Sequence, residues 1–199
     1  MTPRNENQNM QLREERREQI LQAALKVFSR RGLVATKISD IAKEAALSHG
    51  LVYHYFNSKD EIFIMLVERA LQGSKYVVDL ASQQKLSPLD QLHWLTKTIL
   101  TGLSHDGAYF FLIIVQAFTS DAVPVQVKEL VSSNSSAAFE GILPIILAGQ
   151  QAGQIVKEDP VKLASSYFAM IQGISLQHVQ QVDQLTAPDA DLILKIFRP

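Results

Sequence analysis

A chain of 199 residues that is 47% apolar and 20% charged can bury one large core, or a small core and a larger one, which excludes a disordered or collagen-like class. It has no cysteine, so disulfides, thiolate nucleophiles and thiolate metal ligands are excluded as well. The net charge of −1 hides an asymmetry: residues 1–60 carry ten Lys or Arg against seven Asp or Glu, whereas residues 61–199 carry nine against thirteen.

The opening, MTPRNENQNMQLREERREQ, is polar and lacks the apolar stretch of a secretory leader. The longest strongly apolar runs, YFFLIIVQAF and GILPIILAG, fall short of the roughly 20 residues needed to span a bilayer. A cytoplasmic protein with no membrane segment is the expectation.

Residues 14–31 place Ile20, Ala24, Val27 and Phe28 on one helical face with Leu21 and Leu25 beside them, and Gly32 stops the helix after a basic last turn. Thr36 is the expected N-cap of a helix reaching about Ala45, with Ile38, Ile41, Ala42 and Ala45 turned inward. Ser48 caps the next helix, about 49–55, in which Val52 and Phe56 are four apart and face the core. Ser58-Lys59-Asp60-Glu61 has capping-box spacing ahead of a long helix whose apolar side is Ile62, Phe63, Leu66, Val67, Ala70 and Leu71, fading near Leu80.

Ser87-Pro88 supplies a cap and an N1 proline for a helix reaching about Leu103. Ala108 to about Thr119 is apolar on almost every side and is expected to be buried. After Val123-Pro124 a long helical stretch is expected to about Ile155, bent at Pro144 and open to interruption between Asn134 and Ser136. Asp159-Pro160 repeats the cap-plus-proline signal before a helix to about Val182, and Pro188 precedes a last short helix from Asp189 to Phe197. The fold class is all-α: a three-helix domain with a helix-turn-helix over 14–60, and a larger helical domain over 61–199.

Thr36 to Lys59 carries the functional signal, because two short amphipathic helical patterns are separated by a few residues and the second is rich in Ser, His and Tyr instead of buried aliphatics. With Val52 and Phe56 anchored inward, the third helix exposes His49, Gly50, Tyr53 and His54, with Leu51 at its edge. The histidines suit base edges or phosphates, Leu51 suits a thymine methyl, and Gly50 permits close backbone approach. Tyr53, Lys59, Thr36 and Lys37 are phosphate candidates. A second reading makes Tyr53, His54, Tyr55 and Phe56 an aromatic knot between two helices.

IAKEAALSHGLVYHYFNSKDEIF resembles the DNA-binding signature of TetR-family transcriptional regulators, and ILQAALKVFSRRGLVATKISDIA resembles the helix and loop before it. The resemblance covers about residues 14–67. It implies a homodimer whose amino-terminal domains read the half-sites of a pseudo-palindromic double-stranded operator, and a carboxy-terminal domain that holds an effector. It assigns operator contact to Thr36, Lys37, Ser48, His49, Gly50, Leu51, Tyr53, His54 and Lys59. Ala46 departs from the pattern, which has glycine in the turn, so the turn is either left-handed, at a cost of roughly 1 kcal/mol, or of another type. The resemblance favours a repressor released by a small hydrophobic effector, although the same architecture can activate.

The effector candidates are Trp94, His105, Tyr109, Phe110, Ile113, Tyr167, Met170 and Ile174, with Leu112, Phe118 and Phe168 beside them; alternatively these are core residues. Few charges fall between residues 88 and 119, which favours an uncharged or weakly polar ligand. The expected dimer surface is Phe139, Ile142, Leu143, Ile146, Leu147, Ala148, Gly149 and Gly153, together with Leu163, Tyr167, Met170, Ile171, Ile174 and Val179. No enzyme is expected, since the chain has no H-x-x-x-H pair and no nucleotide-binding glycine run, and no cofactor is called for. Two rivals remain: a metal site assembled from His93, His105, His178 and a carboxylate, and a constitutive architectural DNA-binding dimer without an effector.

Overall fold

The computed structural model describes residues 3–103, 105–134, 136–179 and 188–199, and every regular element among them is helical. Helix α1 (Pro3–Ala35) is broken at Gly32, whose φ of 75° and ψ of 167° no helix accommodates, so glycine ends the regular helix where the sequence predicts. Helices α2 (Ile38–Glu44) and α3 (His49–Tyr55) follow, and the 25-residue α4 (Lys59–Gln83) leads out of the head. The body is completed by α5 (Pro88–Leu103), α6 (Gly107–Thr119), α7 (Val125–Asn134), α8 (Ala137–Gln151), α9 (Pro160–Val179) and α10 (Ala190–Ile193), with a 3-10 turn over Leu194–Phe197.

Local capping sets most of these starts. The Ser48 hydroxyl accepts from the Leu51 amide at 3.2 Å, Ser87 from Asp90 at 3.3 Å, the Asp159 carboxylate from Val161 at 2.8 Å and Asp189 from Leu192 at 2.7 Å. Ser58 caps α4 through the Glu61 amide at 3.1 Å, but Glu61 returns its carboxylate to the Asn57 amide at 2.7 Å, so the predicted box closes one residue early.

Thr36 is not the cap of α2. Its hydroxyl donates to the Gly32 carbonyl at 2.7 Å, and the residue is 1% exposed, because the broken end of α1 offers an acceptor within reach. Lys37 takes the cap position, with its amide donating to Asp40 at 2.9 Å. That hydrogen bond and the Arg31 guanidinium 3.1 Å away hold the Asp40 carboxyl below its ordinary range.

Two apolar clusters meet along α4. The first joins Ile20, Leu25 and Phe28 of α1 to Ile41, Val52, Ile62, Phe63 and Leu66, and it continues into the body through Ile113 and Ala117 of α6 and Val127 of α7. The second joins Val78 and Ala81 at the far end of α4 to α5, α8, α9 and the carboxy-terminal turn. The three-helix head, α1 to α3, is thus seated on α6 and α7 as well as on α4.

Several expectations for the body change. Helix α6 is not buried all round: only Ala108, Ile113 and Ala117 are fully enclosed, and Phe118 is half exposed. The long stretch after Pro124 divides into α7 and α8, with Pro144 inside α8 and facing outward. By length and apolar composition alone Val125–Gln151 could cross a membrane, yet α8 turns Ile142, Ile145 and Ile146 into the second core. The expected continuation of α9 to Val182 lies outside the described residues. The last helix changes to 3-10 at Leu194.

Part of the expected dimer stripe lies inside one protomer. Ile142, Ile146, Leu163, Tyr167 and Ile171 are buried in the second core, and Gly149 makes room for Ile155, whose side chain would collide with any Cβ there. Leu147 and Leu176 stay exposed on α8 and α9.

Candidate DNA-binding face and ligand cavity

Val52 and Phe56 pin α3 to the core, and the remaining side of that helix is open. Ser48, His49, Gly50, Tyr53 and His54 are exposed, Lys37 is exposed at the entry to α2, and Leu51 is half-buried. The rings of His49 and Tyr53 meet edge to face at 5.0 Å, while Tyr53 keeps 49% of its surface in solvent. A Cβ on Gly50 would meet nothing, so internal packing does not require a glycine there. The aromatic-knot reading applies only to Tyr55 and Phe56. Arg17 from α1 lies 4.6 Å above the Phe56 ring and donates to the Tyr55 carbonyl at 3.1 Å.

The turn before α3 is a Schellman motif: Leu47 N–H donates to the Ala42 carbonyl at 2.9 Å, and Ala46 N–H to Lys43 at 3.1 Å. Ala46 sits at φ 53°, so the left-handed alternative is the one adopted. Replacing Ala46 with glycine is expected to raise stability by about 1 kcal/mol, read from the urea midpoint, because the motif suits glycine at this position.

The side chains of Thr36 and Lys59 are turned toward the end of α1. The Lys59 ammonium donates to the carbonyls of Leu33 and Thr36 at 2.8 Å each and of Val34 at 3.2 Å. It thereby satisfies the unpaired, partially negative end of α1 and fixes the start of α4 against it. Lysine after a capping serine looks the same in sequence whether it reaches outward or back, so no local pattern could have separated the two. Arg13 and Arg16, which sequence reasoning passed over in a charged run, line a hollow with Asn9, Leu12, His54 and Tyr55 beside the exposed helix.

The body contains a cavity of about 430 Å³ between α4, α5, α6, α8 and α9. Its walls include Leu71, Val77, Ile99, Phe110, Phe111, Ile114, Phe118, Phe139 and Phe168, with Ser74, Thr98, Gln172 and Arg69 as polar members. Of the sequence candidates, Phe110, Phe118 and Phe168 are on this wall. Ile113 is turned to the head core, and Trp94, Met170 and Ile174 pack on the second core. Tyr167 is buried with its hydroxyl 3.2 Å from Thr96, and that burial pushes its phenol well above the ordinary value. His105 is exposed, with Nδ1 3.4 Å from the Thr101 carbonyl. Gly107 matters locally: a Cβ there would press on the Gly102 backbone at 2.8 Å, so a bare backbone lets α5 and α6 cross at the cavity wall.

Helix α6 has a second face. The Gln116 side chain donates to the carbonyls of Phe28 and Ser29 at 2.9 and 3.3 Å, at the end of α1, while its own buried Oε1 has no partner among the described residues. Arg30 donates to the Tyr109 hydroxyl at 3.3 Å, and Arg69 of α4 pairs with Glu18 of α1 at 2.7 Å. Tyr109 therefore faces the head. His93 lies 3.8 Å from Asp191, and among the described residues no group of three or more metal-ligating side chains gathers.

Residues 20–66 match the family described as bacterial regulatory proteins, tetR family. Over 79 residues the chain is 38% identical to the HTH-type transcriptional regulator HbdR of Aromatoleum sp. (strain CIB), covering 40% of this chain and 34% of that protein. Over 129 residues it is 29% identical to the HTH-type transcriptional activator FasR of Mycolicibacterium smegmatis, covering 64% and 59%. The chain thus aligns with about a third and three fifths of these relatives' lengths. Its fold is similar to that of the MbdR regulator from Azoarcus sp. CIB, with a TM-score of 0.74 at 24% identity over 89% of this chain and 94% of the other. Residues 20–66 thus carry the signature of the tetR family of bacterial regulatory proteins, and the chain shares the helical fold of a solved regulator.

Proposed function

We propose that the protein regulates transcription as a homodimer that binds a palindromic double-stranded operator and releases it when a small apolar effector enters the body. The observation that carries this reading is the double role of α6. One face supplies Phe110, Ile114 and Phe118 to the cavity, and the other holds the end of α1 through Gln116, Ile113 and Ala117. A ligand that displaces α6 must move or strain the seat of the head.

On the DNA side, His49, Tyr53, His54 and Ser48 form the reading face, with Gly50 allowing close approach. Lys37, Arg13 and Arg16 are the phosphate contacts. Thr36 and Lys59 act through position, holding the two ends of the α1–α4 junction. The exposed Leu147 and Leu176 on α8 and α9 are the proposed core of the subunit contact. A constitutive architectural factor has no use for an apolar cavity backed by the head-bearing helix.

Selection of bound sequences from a random duplex pool, at fixed salt and with the oligomeric state measured in parallel, tests the DNA side. The expected result is a two-fold palindrome bound by a dimer. Recovery of no common sequence, with binding that simply fades with salt, overturns it.

A further inference from the structure

The cavity has one charged group on its wall, and that group already has a partner in the head. Arg69 stands at the α4 side of an otherwise neutral, mainly aliphatic and aromatic lining. Its Nη1 donates to Glu18 Oε2 at 2.7 Å, and the other guanidinium nitrogens make no hydrogen bond to the described residues. The side chains of Arg69 and Glu18 keep 41% and 46% of their surface exposed, so an incoming anion reaches this pair without unfolding anything. The Glu18 carboxyl is held below its ordinary value: desolvation pushes it up, and hydrogen bonds from Arg69 and Gln22 outweigh that push.

A single-point ion pair between two half-exposed side chains is weak and exchangeable, whereas a guanidinium binds a carboxylate or phosphate best through two nitrogens. We propose that the effector is an apolar chain ending in an anion, a carboxylate or phosphate, and that this anion takes Arg69 from Glu18 when the chain fills the cavity. This rests on the cavity being the effector site and adds its charge class and its switch. A long apolar body suits the aromatic walls, and the mouth cation sets the sign of the head group. Glu18 lies on α1, so the exchange removes one of the ties between body and head at the moment of binding.

The test displaces N-phenyl-1-naphthylamine, a neutral fluorescent probe, from the full-length protein. The competitors are dodecanoate, dodecyl phosphate and dodecanol, all below their micelle concentrations. The anions are expected to compete more strongly than the alcohol. R69Q should abolish that advantage, R69K should retain most of it, and E18Q should enlarge it by up to about fivefold, since the anion no longer contends with a resident carboxylate. Dodecanol should compete equally in all four proteins, which also reports an intact cavity. Equal competition by dodecanol and the anions in the parent protein, or an anion advantage that survives R69Q, overturns the exchange and leaves the cavity reading standing. Failure of the probe and all three competitors to bind removes the cavity reading and the exchange with it. Preference for dodecyl phosphate over dodecanoate, or the reverse, identifies which anion the site takes.

Discussion

Truncating Phe63 to alanine is expected to lower stability by about 3–5 kcal/mol, the range for deleting a buried phenyl group, and to remove DNA binding with it. Phe63 is 0% exposed in the second turn of α4, and its ring stands edge-on to Phe28 of α1 at 5.3 Å and 81°. The loss combines transfer of the ring, the void left between two fixed helices and the aromatic pair itself, worth roughly 0.5–1.5 kcal/mol beyond area. Domains hold a total of only about 5–15 kcal/mol, so the variant sits at or near the unfolding threshold. Urea unfolding followed by circular dichroism gives the number. A loss below about 1 kcal/mol would mean that the first apolar cluster is not the core that seats the head.

The second large effect separates reading from positioning. His49→Ala with Tyr53→Ala is expected to weaken binding to the selected duplex by at least about tenfold, at the level of one or two base or phosphate contacts, with an unchanged urea midpoint. Both side chains face solvent and hold up nothing beneath them. Lys59→Met should weaken the same duplex while lowering stability by about 2 kcal/mol, because three carbonyls at the end of α1 lose a charge-assisted donor. Fluorescence anisotropy and urea melts on the two variants give both quantities. An unchanged midpoint for Lys59→Met would return that lysine to the phosphate-contacting set.

The elements were legible in the sequence where the cause is local. Ser48, Ser87, Asp159 and Asp189 cap their helices through amides two or three residues on, and Gly32 breaks α1 with a conformation other residues avoid. The exposed face of α3 was legible for a related reason, since Val52 and Phe56 fix its rotation and the rest follows from 3.6 residues per turn. What the sequence left hidden depended on contacts distant along the chain. Thr36 and Lys59 are polar residues beside a helix start, and only the folded α1 shows that its freed carbonyls claim them.

The cavity was hardest to read because apolar periodicity does not distinguish a wall from a core. Trp94 and Tyr109 drew attention through their polar tips, yet Trp94 packs on the second core and the Tyr109 hydroxyl accepts from Arg30 of α1. Phe110 and Phe118 of α6 and Phe168 of α9 meet at the cavity only through the packing of helices far apart in sequence, which no window of sequence displays. The expected dimer stripe was legible only in part: α8 and α9 are apolar on more than one side, and each buries one of those sides within its own protomer.

The central claim is that the body cavity and the DNA-reading face are coupled through α6. The most direct measurement is anisotropy of the selected duplex bound to the dimer, titrated with a compound already shown by probe displacement to occupy the cavity. The account predicts release of the duplex over the same concentration range in which the cavity fills. Full occupancy of the cavity with duplex affinity unchanged would contradict it.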